Sequence, residues 1–176
     1  GFYLTPDFAQ AAVAARTRVR REQRLLEKKS DYDRGVVSTF ELDETIPLKV
    51  FRFESITAEW LQFAAVNFKG NVYSKQMTQD ILSRYSDYDV IIGKRPDDHT
   101  SMILTAYLAE SYGTPEREDA INSALSHIFP EYLTEQYCFR TEQAIHALKF
   151  QKKDAPMRAS SKKFTADRAL TMAAQM

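Results

Sequence analysis

Gly1-Phe2-Tyr3-Leu4-Thr5-Pro6-Asp7-Phe8 is the stretch on which the fold turns. Phe2, Tyr3 and Thr5 are aromatic or β-branched, so the opening residues read as a short strand. Thr5-Pro6-Asp7 then reads as an N-cap, a proline at the first helical position and an acid in the first turn. A strand thus feeds a helix with no loop between them, which commits the chain to mixed α and β structure. The spacing predicts a helix over 6–29 with Phe8, Ala11, Ala12, Ala15 and Val19 on one face. Its far end carries Arg16, Arg18, Arg20, Arg21, Arg24, Lys28 and Lys29 against Glu22 and Glu27. Cations suit the negative end of a helix dipole, and a solvated face accounts for them.

Outward from this start, 36–42 and 48–53 are β-branched and aromatic runs separated by the polar Asp43-Glu44-Thr45-Ile46-Pro47, the pattern of two strands and a loop. Thr57 caps a helix bearing Trp60, Leu61, Ala64, Ala65 and Phe68, and Lys69-Gly70-Asn71 ends it. A further helix is expected over 74–84, and 88–93 is a buried strand closed by Gly93. Lys94-Arg95-Pro96-Asp97-Asp98-His99 is the most polar loop of the body. Helices over 100–112 and 115–128, a brief strand at 137–139, and a helix capped by Thr141 and carrying Ala144, Ile145, Leu148 and Phe150 complete the expected body. The expected class is α+β with a mixed sheet and peripheral helices, one domain over 1–150, a linker from 151 and a short helix over 165–175.

Composition narrows the chemistry. At 176 residues the chain fits one ordinary domain that needs no staple. Cys138 alone makes no internal disulfide, and with three scattered histidines it makes no Cys-rich zinc site. No apolar run approaches the ~18 residues of a membrane span. The 24 basic and 24 acidic residues are unevenly placed. Residues 151–176 hold 6 Lys/Arg and 2 Asp, while 1–150 hold 18 basic and 22 acidic residues. A basic tail can meet nucleic acid or an anionic surface, but a solvated terminal segment is the commoner explanation.

Generic motifs are missing: the chain has no phosphate-binding glycine loop, no paired histidines at ligand spacing and no nucleophile elbow. Asp97-Asp98-His99 is a compact polar group after a buried strand, where an acid, base or ligand could sit. Cys138 lies within an apolar strand and reads as a small core residue. His127 and His146 read as structural histidines on helices, and Trp60, Phe63 and Phe68 as core.

Three stretches, in order, resemble a bacterial family of uncharacterised domains regarded as ADP-ribosyltransferase-like. They are Gly1-Phe2-Tyr3-Leu4-Thr5-Pro6-Asp7-Phe8-Ala9-Gln10-Ala11, then Tyr88-Asp89-Val90-Ile91-Ile92-Gly93 with Asp97-Asp98 following, then Glu135-Gln136-Tyr137-Cys138-Phe139-Arg140-Thr141-Glu142-Gln143-Ala144-Ile145. The first is also similar to the Gly-x-Tyr-Phe segment of poly-ADP-ribose polymerases, and the likeness covers about 1–150.

The resemblance implies a split mixed sheet that binds NAD as co-substrate and transfers ADP-ribose. Gly1, Phe2, Tyr3 and Gln136 would bind NAD, and Tyr3, Gln136 and Asp98 would form the catalytic set. Tyr3 matches the aromatic that stacks on nicotinamide. Gln136 stands where many transferases keep a glutamate; its amide can hydrogen-bond a ribose but cannot act as a base. That substitution fits transfer of a single unit, with Asp98 as the candidate carboxylate. The family's first strand, with its His-Gly or Arg motif, is expected upstream of Gly1. A mono-ADP-ribosyltransferase of effector or toxin type is therefore expected in the cytoplasm, its own or a target cell's. Its partners would be a macromolecular acceptor, a protein, and an inhibitor or immunity protein. The alternatives are a non-catalytic NAD-binding or protein-interaction module and, ranked last, a nucleic-acid binder using the tail.

Overall fold

The computed structural model describes residues 1–25, 35–68, 73, 75–154 and 172–174. In chain order its elements are β1 (Phe2–Thr5), α1 (Phe8–Leu25), β2 (Val37–Leu42), β3 (Val50–Arg52), α2 (Ala58–Phe68), α3 (Lys75–Ser83), β4 (Val90–Lys94), α4 (Asp98–Leu108), α5 (Glu118–Leu125), β5 (Glu135–Phe139), α6 (Glu142–His146), β6 (Leu148–Asp154) and β7 (Met172–Ala174), with a 3-10 turn at Pro130–Tyr132. They form two compact units, Gly1–Leu48 with Gln136–Met176, and Lys49–Glu135.

In the first unit every strand pairing is antiparallel. β1 pairs with β5 and β7, and β2 with β7 and β6. The strand-to-helix start is as expected, but Asp7 rather than Thr5 is the cap. Its Oδ1 accepts from the backbone N–H of Ala9 at 2.8 Å and of Gln10 at 3.2 Å. Thr5 is instead buried beneath the helix, its hydroxyl bonded to the Gln10 side chain. Ala11, Ala12 and Ala15 pack on Val37, and these small residues let α1 approach very closely. A Cβ on Gly35 would lie 2.6 Å from the Ala15 backbone. The described part of the basic end, Arg16 to Arg21, is solvent-facing; 26–29 lie outside the described residues.

Two expectations for this unit fail. The helix capped by Thr141 forms, with Thr141 Oγ1 accepting from Ala144 N–H at 3.2 Å, yet it stops at His146. Leu148 and Phe150 belong to β6, opposite Leu42 and Phe40. A two-residue spacing of apolar side chains serves a strand as well as it extends a helix, so periodicity alone misassigns them. The sheet also continues past the expected linker at 151. β6 runs to Asp154, and β7 occupies part of the segment expected as a helix over 165–175. β7 fills the slot between β1 and β2, where backbone pairing on both sides overrides the helical leaning of Met-Ala-Ala. The remainder of that expected helix lies outside the described residues. The lysines of β6 are part of its finish: Lys149 meets Asp43 at 2.8 Å and Lys152 meets Asp154 at 3.0 Å, while Gln151 is the extra residue of a bulge. Charges and a bulge of this kind discourage further strand addition.

In the second unit β3 and β4 pair in parallel. Val90, Ile91 and Ile92 are buried, as their apolar density predicts. Thr57 caps α2, accepting from Trp60 N–H at 3.3 Å, and Trp60 is buried with its Nε1 donating to the Lys94 carbonyl at 3.1 Å. Phe51, Phe53, Phe63 and Tyr85 form a cluster of edge-on and tilted ring contacts, and the Tyr85 hydroxyl donates to Glu59 at 2.8 Å. α4 and α5 are shorter than expected. α4 closes at Leu108 because the chain turns through Glu110 at φ 59° and Gly113 at φ 106°. The Tyr73 hydroxyl donates to the Tyr107 hydroxyl at 3.1 Å, and Tyr107 in turn donates to the Pro115 carbonyl. Parallel and antiparallel pairings thus coexist with several helices, the expected α+β class.

Candidate functional site

Side chains alternate along a strand, so β1 divides its residues between two faces. Phe2 and Leu4 share one, where the Phe2 ring meets Phe40 edge-on at 5.7 Å and Leu4 is buried. Tyr3 and Thr5 share the other. On β5, Tyr3 stands opposite Cys138. Directly opposed residues point to the same side, and Gln136, two places before Cys138, points there too. Tyr3 and Gln136 are therefore diagonal neighbours on one face of one strand pair, a separation of roughly 7–8 Å between backbones that long side chains span.

This face is closed at one end and open at the other. Thr5 is sealed by α1, Gln136 is half-buried, and Tyr3 keeps 38% of its surface exposed. Cys138, opposite Tyr3 in the register, is its neighbour across the strand pair on this face. Burial, then Cys138, pushes the Tyr3 hydroxyl above its ordinary pKa. Burial likewise raises the Cys138 thiol, partly offset by neighbouring Tyr3 and Arg140. A thiol raised by burial is poorly suited to act as a nucleophile.

Gly1 completes the corner. A Cβ there would lie 2.5 Å from Cys138 Sγ, 3.3 Å from the Phe139 carbonyl oxygen and 3.9 Å from Arg140 Cγ. A side chain there would first have to displace the Cys138 thiol. Arg140 adds a cation within electrostatic reach of both Tyr3 and Cys138, favouring their ionised forms.

Of the residues assigned from sequence, Gly1, Tyr3 and Gln136 share this corner. Phe2 contributes only backbone, since its side chain faces the other way. Asp98 lies in the other unit, exposed in the first turn of α4. There the polar segment 94–99 is shorter as a loop than expected: Asp97 is an N-cap whose carboxylate accepts from Thr100 N–H at 2.7 Å, and that bond draws its pKa down. The sequence reading missed Cys138 as the partner of Tyr3. The alternation Gln136, Cys138 was visible, but the opposing strand was not. Among the described residues no group of three or more His, Cys, Asp or Glu could hold a metal, and no helix is long and apolar enough to cross a membrane.

An α+β chain with an exposed tyrosine opposite a cysteine, near a strand amide and an arginine, has the makings of a small polar ligand site. The chain belongs to the family described as protein of unknown function, DUF3990, whose model matches residues 1–150. No curated protein and no solved structure matches it.

Proposed function

We propose that the chain is an NAD-dependent mono-ADP-ribosyltransferase. One observation carries the reading: Tyr3 and Gln136, which the resemblance assigns from two stretches far apart in the sequence, are diagonal neighbours on one face of the β1–β5 pair. The exposed Tyr3 ring offers a stacking surface for nicotinamide. Gly1 leaves bare backbone beside it, and the Gln136 amide would hydrogen-bond a ribose hydroxyl. Arg140 supplies positive charge for a pyrophosphate.

Transfer breaks the bond between nicotinamide nitrogen and ribose C1′. Nicotinamide leaves with the bonding pair and becomes neutral, positive charge grows on the ribose, and a lone pair of the acceptor forms the new bond as its proton is released. The protein accelerates this by holding the leaving ring and the ribose in line and by hydrogen bonds at the developing charge. A glutamine gives orientation without negative charge, which suits a single transfer in which the acceptor brings its own nucleophile. The acceptor is a protein, with an inhibitor or immunity protein as second partner, and the setting is the cytoplasm, its own or a target cell's.

Glutamine at 136 also favours a second reading, a domain that binds NAD or a protein without transfer. Incubating the protein with NAD labelled in the adenylate moiety and a cell extract separates the two. The enzyme yields labelled acceptor, lost in Tyr3→Ala; a binding module retains NAD and yields neither labelled acceptor nor free nicotinamide. Gln136→Glu should raise hydrolysis or transfer, and no change in either would remove Gln136 from the site.

A further inference from the structure

The Lys49–Glu135 unit carries an exposed aromatic surface that its own core does not use. Met102 is 69% exposed, Phe129 49% and Tyr132 72%. They are not scattered. His99 and Met102 lie one turn apart on α4, hence on one side of it. The His99 ring stacks on Phe129 with centroids 5.6 Å apart and planes inclined by 24°, and Phe129 meets Tyr132 edge-on at 6.3 Å. Three rings in successive contact at the surface, with a thioether one helical turn from the first, make a local cluster of exposed apolar area.

The chemistry around the rings indicates what covers them. Asp98 precedes His99 and Glu131 precedes Tyr132, both acids being exposed. Lys94, near in sequence, is tied back, its ammonium donating to the Leu133 carbonyl at 3.0 Å. The unit as a whole holds 8 Lys and Arg against 13 Asp and Glu. Aromatic faces flanked by carboxylates attract a guanidinium doubly, since the plane stacks on the ring and the charge meets the acid. A nucleic acid would be repelled by the same acids.

We propose that His99, Met102, Phe129 and Tyr132, with Asp98 and Glu131 beside them, form a docking surface for an arginine-bearing segment of a protein partner. It lies wholly within one unit and does not depend on the transferase reading.

Calorimetric titration of the full chain with the peptide (Arg-Gly-Ser)4 tests it. Saturable binding is expected, weaker with the lysine counterpart and weaker as salt is raised. Tyr132→Ala and Phe129→Ala should each reduce affinity roughly three- to tenfold, Tyr132→Phe should retain it, and Glu131→Gln should flatten the salt dependence. Circular dichroism of each variant checks folding, and Tyr132 is exposed enough for its removal to be tolerated. Equal affinity for (Glu-Gly-Ser)4, affinity unchanged by Tyr132→Ala, no binding at all, preference for an oligothymidylate, or a dimer in sedimentation that Tyr132→Ala dissolves would each overturn the assignment.

Discussion

Gly35→Ala probes how α1 is seated on the strands that carry Tyr3. The added methyl would stand 2.6 Å from both the carbonyl carbon and oxygen of Ala15, and 2.8 Å from its Cβ. The atoms it meets are mostly backbone, so no rotamer change relieves the contact and the helix itself must lift. Overpacking of this kind costs about 1–3 kcal/mol. Replacing glycine by alanine returns about 0.4–1 kcal/mol by restricting the unfolded chain. A net loss of about 1–2 kcal/mol lowers the melting temperature by roughly 2–8 °C for a chain of this size. Thermal unfolding followed by far-ultraviolet circular dichroism gives the number. Ala15→Gly in the same molecule should restore little, because the backbone contacts remain. A variant as stable as the parent, or one fully rescued by Ala15→Gly, would refute the close seating of α1 on the chain entering β2.

Three other outcomes follow from the geometry. The Asp43 carboxyl, held to about 2 by its hydrogen bond to Lys149 and then by Thr45, should titrate there by NMR and return towards an ordinary carboxylate in Lys149→Ala. A depressed carboxylate contributes stability above the unfolded value of about 3.9, and this is lost as pH falls from there through about 2. Asp43→Asn should therefore show a smaller loss across that window in urea titrations, and an equal loss would deny the pair any role. Trp60, the single tryptophan and buried against the Lys94 carbonyl, should fluoresce at short wavelength, and Trp60→Phe should cost at least about 1–3 kcal/mol; a red-shifted, solvent-like spectrum would contradict its burial. Tyr3→Ala should abolish transfer with little change in melting temperature, since over a third of the residue's surface is already in water.

Much of the architecture was legible where chemistry is local. Pro6 and Asp7 mark the helix that follows β1, Thr57 and Thr141 cap their helices as read, and the apolar run at 90–92 is a buried strand. Local signals failed where a long-range partner decided the outcome. Thr5 looks like a cap until Asp7, with its better-placed carboxylate, takes the role and Gln10 takes the Thr5 hydroxyl. Leu148 and Phe150 satisfy a helix pattern, yet Leu42 and Phe40 draw them into the sheet. Met172–Ala174 carries no strand signal, and pairing to β1 and β2 supplies what its composition lacks. The same limit applied to the site. Tyr3 and Gln136 could be named from their stretches, but Cys138 as the cross-strand neighbour of Tyr3 follows only from the register, which no spacing within one strand encodes.

The central claim is that Tyr3 and Gln136 serve one dinucleotide. NAD titrated into protein labelled at tyrosine rings and glutamine amides measures this directly by NMR. The account predicts that the Tyr3 ring and the Gln136 side-chain amide shift together with a single saturation curve, and that Tyr3→Ala weakens the Gln136 response. Saturation at other residues with both signals unmoved, or two curves of unrelated midpoint, would contradict it.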